Sequence, residues 1–526
     1  MASSVPARAG QARSGSRTNI IVLMAALLCA VFAFQLNASM LSPALHTMSV
    51  ELNATDVEIG VTQTAFFASA ALFSLFLPRW GDLIGRKKIL LGMLLATGIG
   101  CVVSALAPNV TILGIGRVIQ GTAGPMVPLT LVMLHQEVPE PRRYAKYMAI
   151  LTSVNGGIAG VDALLGGWLA GNWGFRSVFA CMAVVCAIAF VASMFGTRES
   201  QGDRTPMDWP GVIALLIVFG CVYFAFNELG KLGDARWWLI GVEILVAAVS
   251  AVIFWKIESS RAHPLVATRY LKQRRTWALL STTLFTMTGV FAVMNGLIPN
   301  LAQLEASAGG LELPAETVSF VTLTPYAIAG LIMGPIAGQL ASRFGYKKVL
   351  QVGLLSTVIF LGIAVFGVGT PSKSLIFFLC VAIGITYAGT VNIMLNGLGV
   401  VLSPADNQGY LPGMNAGAFN LGAGLSFAIL TAVATAVGGT ENVVGGYQAG
   451  IAVGAVLVII ALLLSTLIPL GGERRRIRVL NICRLRIRSG TGRRPGTGPT
   501  GLAAPVAPWA PWYMLVCRGK GRYGDE

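Results

Sequence analysis

The stretch "PRWGDLIGRKKIL", Pro78 to Leu90, separates two apolar runs, near 60–79 and 88–107. Asp82 and Arg86 stand a short turn apart, and Gly85 between them lets the chain bend tightly from one helix into the next. A carboxylate at a helix end can pair with bases across such a loop. The chain writes this pattern twice. In "GQLASRFGYKKVL", Gly338 to Leu350, Gly338 stands against Pro78, Gly345 against Gly85 and Lys347 against Lys87. Ser342 replaces the acid and Tyr346 the arginine, so the second copy is expected to make the weaker ionic latch. Two related loops far apart in one chain imply duplicated halves.

The rest of the composition fits a chain solvated by lipid. Of 526 residues, 55% are hydrophobic and only 11% charged, where soluble domains carry roughly 25% charged residues. There are too few charges to coat a soluble protein of this length. Eight cysteines form no CxxC pair, and three histidines are scattered, so no metal site is expected. No Walker loop and no dinucleotide fingerprint appears. No cofactor and no enzyme chemistry is expected, since no nucleophile–base cluster is visible.

Apolar runs of spanning length recur near 19–41, 60–79, 88–107, 111–134, 147–170, 177–196, 210–230, 237–256, 277–300, 318–341, 348–369, 374–397, 410–437 and 447–470. A spanning helix needs about 20 residues, so about fourteen transmembrane helices are expected. Loop charges alternate with the count. Arg79, Arg86, Lys87 and Lys88 fall on one side with Arg142, Arg143 and Lys146, and with Arg343, Lys347 and Lys348. Glu51, Asp56, Glu58, Glu305, Glu312 and Glu316 fall on the other. By the positive-inside rule the basic side is cytoplasmic, and an even count puts both termini there. Arg176, Lys373, Lys231 and Arg236 are exceptions. A multi-pass protein of the cell membrane follows, with the first run read as an uncleaved helix.

Residues 1–18 read as a cytoplasmic tail, 19–200 as an N-terminal six-helix half and 201–275 as two extra central helices with a linker. Residues 276–470 read as the C-terminal half and 471–526 as a basic disordered tail. From Glu473 onward there are twelve Lys/Arg against three Asp/Glu. This excess reads as a solvated or lipid-facing tail, and nucleic acid is not an expected partner.

The loop at Asp82, Gly85, Arg86 and Lys87 resembles the cytoplasmic signature of the major facilitator superfamily, Gly-x-x-x-Asp-x-x-Gly-Arg-Lys, with Pro78 at the leading glycine. Arg117, Gln120 and Gly121, within "GIGRVIQGTAGPMVP", resemble a fourth-helix signature of the drug/proton antiporter branch. "MDWPGVIALL", Met207 to Leu216, resembles the start of the two extra helices in its fourteen-helix members. The resemblance covers roughly residues 19–470. It implies an all-α membrane fold of two six-helix halves plus two extra central helices, working by alternating access around a midplane site.

Two departures from that branch concern charge. Its fifth helix usually carries Gly-Pro-x-x-Gly-Gly; here Gly166 and Gly167 supply the last pair, and Asp162 and Ala163 stand where Gly-Pro is expected. Its first helix often carries an acid, and here Asn37 takes the place. A carboxylate inside the bilayer costs roughly 2.5–3.5 kcal/mol on insertion scales. Arg117 is about six residues, roughly 9 Å, from the outer end of its helix, and Asp162 about eight residues, roughly 12 Å. A buried Asp–Arg pair is therefore expected. Asp162 and Arg117 are read as proton-coupling candidates, with a static pair and a substrate contact as the other readings of Asp162. Gly166 and Gly167 let helices approach closely. Asn37, Asn295, Tyr326, Asn392, Asn396 and Asn415 are candidates for lining a substrate cavity, since a buried amide needs partners in lipid.

The resemblance implies proton-coupled efflux of lipophilic small molecules or drugs by a functional monomer, with membrane lipid, protons and the small-molecule substrate as partners. Two alternatives stand beside it: a proton symporter or facilitator for a metabolite, and a transport-inactive sensor or scaffold that keeps the fold.

Overall fold

The computed structural model describes residues 19–469 except 139, 201, 203–205, 230–234, 262–267, 404–409 and 440–441. The tails expected at 1–18 and 471–526 lie outside the described residues. Among the described residues the chain is helical, with no strand. The long helices are α1 (Ile20–Leu52), α2 (Asp56–Ile84), α3 (Arg86–Ala105), α4 (Val110–Glu137), α5 (Pro141–Trp173), α6 (Phe175–Gly196) and α7 (Trp209–Leu229). They continue with α8 (Trp237–Ser260), α9 (Arg274–Gln303), α10 (Ala315–Phe344), α11 (Tyr346–Gly367), α12 (Lys373–Val401), α13 (Tyr410–Gly438) and α14 (Val443–Ser465). Among the described residues thirteen helices are long and apolar enough to cross a membrane. The remaining expected span, 147–170, falls within α5, which runs for 33 residues.

Local sequence explains many of the boundaries. Thr55 and Glu58 form a capping box at the start of α2, satisfying backbone donors reciprocally. Asn109, Ser372 and Asn442 cap α4, α12 and α14 through their side chains. Several spans are broken near their middles. A 3-10 turn at Ser42–Ala44 interrupts α1, beside Pro43, and another at Gly121–Ala123 interrupts α4, just before Pro125. π turns at Val293–Leu297 and Gly384–Val391 interrupt α9 and α12. These four are the first and fourth helices of each six-helix set, and breaks of this kind gather at functional sites.

The two sets pack alike. In the first, α1 lies on α5 and α6, α2 on α4, and α3 on α4 and α6; in the second, α9 lies on α13 and α14, α10 on α12, and α11 on α12 and α14. The halves meet along two matching seams, α2 against α13 and α5 against α10. The extra pair α7–α8 packs on itself, and α7 rests on α2 and α13.

The duplicated loops repeat in geometry as well. Gly85 has φ +112° and Gly345 φ +91°, a region that side chains avoid. Lys87 Nζ donates to the carbonyls of Met194 (2.6 Å) and Thr197 (2.9 Å), at the end of α6. Lys347 Nζ donates to Thr466 (2.7 Å) and Ile468 (2.6 Å), past the end of α14. Each lysine serves carbonyls left without helical partners. Because these basic loops lie at one end of the bundle, that end is called basic here, and the end bearing Glu51, Asp56 and Glu316 acidic.

Candidate functional site

Three residues on different helices reach a common depth. Asp162 is eleven residues from the end of α5, Phe67 eleven from the start of α2, and Phe427 eleven from the end of α13. At 1.5 Å per residue each is roughly 17 Å from the acidic end, close to the middle of a bilayer core about 30 Å thick. The site is built around this level.

On α1 one stripe, Ile21, Ala25, Leu28, Phe32, Gln35 and Ser39, follows helical spacing. Its exposure falls steadily, from 73% at Ile21 through half-buried Phe32 and Gln35 to 6% at Ser39. The other sides of α1 pack on α4, α5 and α6. A half-exposed amide in mid-membrane belongs beside water rather than lipid. We infer from this gradient that the stripe is the wall of a vestibule, open toward the basic end and closed at Ser39.

A polar chain stands at its closed end. Gln35 Nε2 donates to Ser39 Oγ at 2.9 Å. Ser39 Oγ is hydrogen-bonded to Asp162 Oδ2 and also lies 3.0 Å from the Gln35 carbonyl oxygen. Asp162 is 2% exposed, and its Oδ1 has no hydrogen-bond partner. Gln35 carries no charge and stands between Phe34 and Leu36, so only its place on the stripe reveals it.

The expected Asp162–Arg117 pair is not formed. Arg117 Nη1 donates to Gln120 Oε1 (2.6 Å) and to the Asn37 carbonyl oxygen (3.2 Å), and Nη2 to Gln63 Oε1 (2.8 Å). Its guanidinium also lies 4.2 Å from the centre of the Phe66 ring, a cation–π contact. Gln120 Nε2 passes the network on to Ser104 Oγ at 2.9 Å. The two Nη groups are therefore held by neutral groups inside the N-terminal half while Nε has no partner, and Ser39 occupies Asp162. The two side chains turn to different residues of α1, Asn37 and Ser39. Gly121 meets Ser69 and Phe66 of α2, where a Cβ would collide.

The other cavity candidates separate. Asn37 is fully buried, donates to the Ala33 carbonyl oxygen at 2.8 Å and meets the thiols of Cys101 and Cys186; it faces the interior of its own half rather than the vestibule. Asn295 Oδ1 accepts from Ser42 Oγ at 3.3 Å, joining α9 to α1 across the halves. Asn415 Oδ1 accepts from Thr283 Oγ1 at 2.6 Å. Asn396 is exposed and bonds back to Asn392 at 2.9 Å. Tyr326 stacks on Tyr387, with ring centres 6.5 Å apart.

The acidic end is shut by contacts between the halves. Ser319 Oγ donates to the Ala163 carbonyl oxygen (2.8 Å), Tyr447 to Asp56 (3.1 Å), and Thr64 to the Gly424 carbonyl oxygen (3.0 Å). Phe67 meets Phe291 edge-on with centres 5.0 Å apart and stacks on Phe427 at 6.4 Å. Gly167 lets α5 touch α10: a Cβ there would sit against the Ala315 carbonyl oxygen and 3.1 Å from Ser319 Oγ. Gly166 allows the same against Met40. Toward the basic end α10 is exposed from Leu331 onward at many positions, and a Cβ at Gly413 would meet open space. Asp82 and Arg86 form an ion pair of 2.7 Å within their own loop. Ser200 Oγ and Glu199 Oε1 accept from the Arg86 and Lys87 amides. Among the described residues Asp82 and Arg86 make no bond to the other half.

A model of the Major Facilitator Superfamily matches residues 27–427. A uridine/deoxyuridine transporter of Lactococcus lactis subsp. cremoris is 58% identical over 468 residues, covering 87% of this chain and 96% of that protein. A multidrug resistance protein B homolog of Mycobacterium tuberculosis is 26% identical over 388 residues, covering 70% of this chain and 68% of that protein. A crystal structure of nucleoside transporter NupG covers 85% of this chain and 99% of its own, with a TM-score of 0.58 at 12% identity; that likeness bears on the fold alone. The 58% relative overturns the expectation of drug efflux and the placement in the drug/proton antiporter branch. Arg117, Gln120 and Gly121 misled because they build helix packing, which does not select a substrate.

Proposed function

Because the chain belongs to the Major Facilitator Superfamily, we propose that it carries nucleosides of the uridine and deoxyuridine class across the cell membrane by alternating access. The observation that supports this most is identity of 58% with a uridine/deoxyuridine transporter along nearly the whole of both chains. The geometry is suited to such a cargo. A nucleoside is a flat, polar ring on a hydroxylated sugar. It needs an aromatic face for stacking and a few convergent polar groups. Phe32 and Gln35 line the vestibule of α1, and Phe291 and the Ser42–Asn295 pair stand where the halves meet. The basic end is cytoplasmic in this reading, and the vestibule faces the cytoplasm. Rocking of the halves about the two seams closes it and parts the contacts at the acidic end. The Asp82–Arg86 pair then acts as a latch of the basic end. Protons entering with the substrate drive accumulation.

Purified protein in liposomes, given radiolabelled uridine and an imposed pH gradient, tests this. Accumulation with protons entering, competed by deoxyuridine, is expected. Uridine equilibration that ignores the gradient would leave a facilitator without proton coupling. No uridine flux under any gradient would remove the proposal.

A further inference from the structure

The Gln35–Ser39–Asp162 chain has a property that individual residues lack. Gln35 offers an amide to the vestibule, Asp162 sits behind it out of reach of solvent, and one hydroxyl connects them. Uracil presents an N–H donor between two carbonyl acceptors. A primary amide, with one acceptor and two donors, is complementary to that edge. Gln35 is half-buried on the vestibule stripe, so its amide can meet a ring there.

Ser39 has one proton and three neighbours. When Asp162 is ionised, both carboxyl oxygens are acceptors only, and Ser39 must give its proton to Oδ2. The serine oxygen then draws the Gln35 N–H toward itself at 2.9 Å, and hydrogen bonds in such a chain strengthen one another. When Asp162 is protonated at Oδ2, the direction reverses. The acid donates to Ser39 Oγ, and the serine proton turns to the main-chain carbonyl oxygen of Gln35, 3.0 Å away. The serine oxygen can still accept the Gln35 N–H through its second lone pair, but the pull on the amide relaxes and it exchanges more readily for a ring in the vestibule. Each state balances: one proton is added at Asp162, and the serine proton changes acceptor without leaving Ser39.

We propose that Gln35 reads the uracil edge of the substrate, and that Ser39 couples its hold on the ring to the protonation of Asp162. This rests on the nucleoside reading above and extends it to the residues that join substrate to proton. Among the described residues of the elements packed on α5, the other titratable groups have partners of their own or stand away from Asp162. Among the elements packed on α5, Arg117 of α4 is bound to Gln63 and Gln120, Arg176 of α6 to Glu51 (2.9 Å), and Glu316 of α10 to Asn172 (3.4 Å). Tyr326 of α10 stacks on Tyr387. Cys29 and His46 of α1, Cys181 and Cys186 of α6, His135 and Glu137 of α4 and Arg343 of α10 lie elsewhere along their helices. Glu140, Arg142, Arg143, Lys146 and Tyr147 belong to the opposite end of α5 and its approach.

Binding of uridine and 3-methyluridine to the full-length protein in detergent tests the proposal, since the methyl group removes the ring N–H. Wild type is expected to prefer uridine by roughly tenfold to a hundredfold, the scale of a lost hydrogen-bonded contact. Gln35→Leu is expected to lose that preference while both ligands still bind weakly. Preserved discrimination in Gln35→Leu would overturn the inference. Ser39→Ala provides a second measurement if Gln35→Leu does not fold. Uridine affinity in wild type is expected to be higher on the acid side of a pH series. In Ser39→Ala the series flattens, and in Asp162→Asn it is flat at the higher affinity. A wild-type pH dependence retained by Ser39→Ala overturns the coupling. If wild type binds no uridine at any pH, the nucleoside reading itself fails, a result distinct from either of these.

Discussion

Gly167→Ala drives a wedge into the seam that holds the acidic end shut. The added methyl meets the backbone of Ala315, whose carbonyl carbon is 3.3 Å away, and Ser319 Oγ at 3.1 Å. The oxygen of that carbonyl is nearer still. The closest neighbour is backbone, so turning the Ser319 side chain aside does not relieve the clash. Overpacking of this kind costs about 1–3 kcal/mol, and it acts only while α5 and α10 touch. The arrangement with the acidic end open escapes it, so the equilibrium between the two moves by roughly 5–150-fold toward opening. Hydrogen exchange read by mass spectrometry on segments 36–48 and 312–322 should accelerate accordingly. Gly413→Ala is the control, because a methyl there meets nothing within 4 Å. Unchanged exchange in Gly167→Ala, or equal acceleration in both variants, would refute the wedge argument.

Lys87→Ala and Lys347→Ala each unpair two carbonyls and should lower stability by about 1–3 kcal/mol; thermal unfolding in detergent should register comparable losses in Tm for both. Gln120→Leu leaves the buried Arg117 without its shortest partner and should cut the yield of folded protein, while Arg117→Leu with Gln120→Leu recovers part of it, as measured by size-exclusion chromatography. Asp82→Asn removes a partly exposed pair worth about 0.2–1 kcal/mol and should slow uridine exchange by no more than about fivefold, yet more than Ser342→Ala, whose hydroxyl bonds to the Gln339 carbonyl oxygen of its own helix at 2.7 Å. In intact cells a cysteine at Ser307 should react with an impermeant maleimide, and one at Ser200 should not; the reverse pattern inverts the orientation.

The span pattern and the paired loops were legible because both are one-dimensional. Apolar length reports membrane thickness, and Gly85 and Gly345 sit at equal offsets from Lys87 and Lys347. The site was legible only in part. Asp162 announced itself as a charge in a lipid-soluble run, but its partner depends on rotation about the helix axis, which depth does not supply. Arg117 therefore was paired with the wrong group. Gln35 and Gln63 carry no charge and break no periodicity, and their roles appear only when α1 and α2 are set against α4 and α5. The π turns of α9 and α12 contain no proline, so the sequence does not mark them as breaks. Substrate choice was misread because a helix-packing motif stood in for a binding motif.

The extra helices divide the surroundings of the two seams. On one flank α7 lays Phe219, Tyr223 and Phe226 over the α2–α13 seam, leaving a gap of about 10 Å³. On the other, the α5–α10 seam carries an apolar groove of about 460 Å³ lined by Val161, Leu165, Trp168, Glu316 and Phe320. In the rocking motion proposed above, the first flank slides against protein. The second must expel or admit acyl chains. The friction of the cycle therefore enters from one side, and chain length, saturation and viscosity of the surrounding lipid bear on a single flank of an otherwise twofold machine.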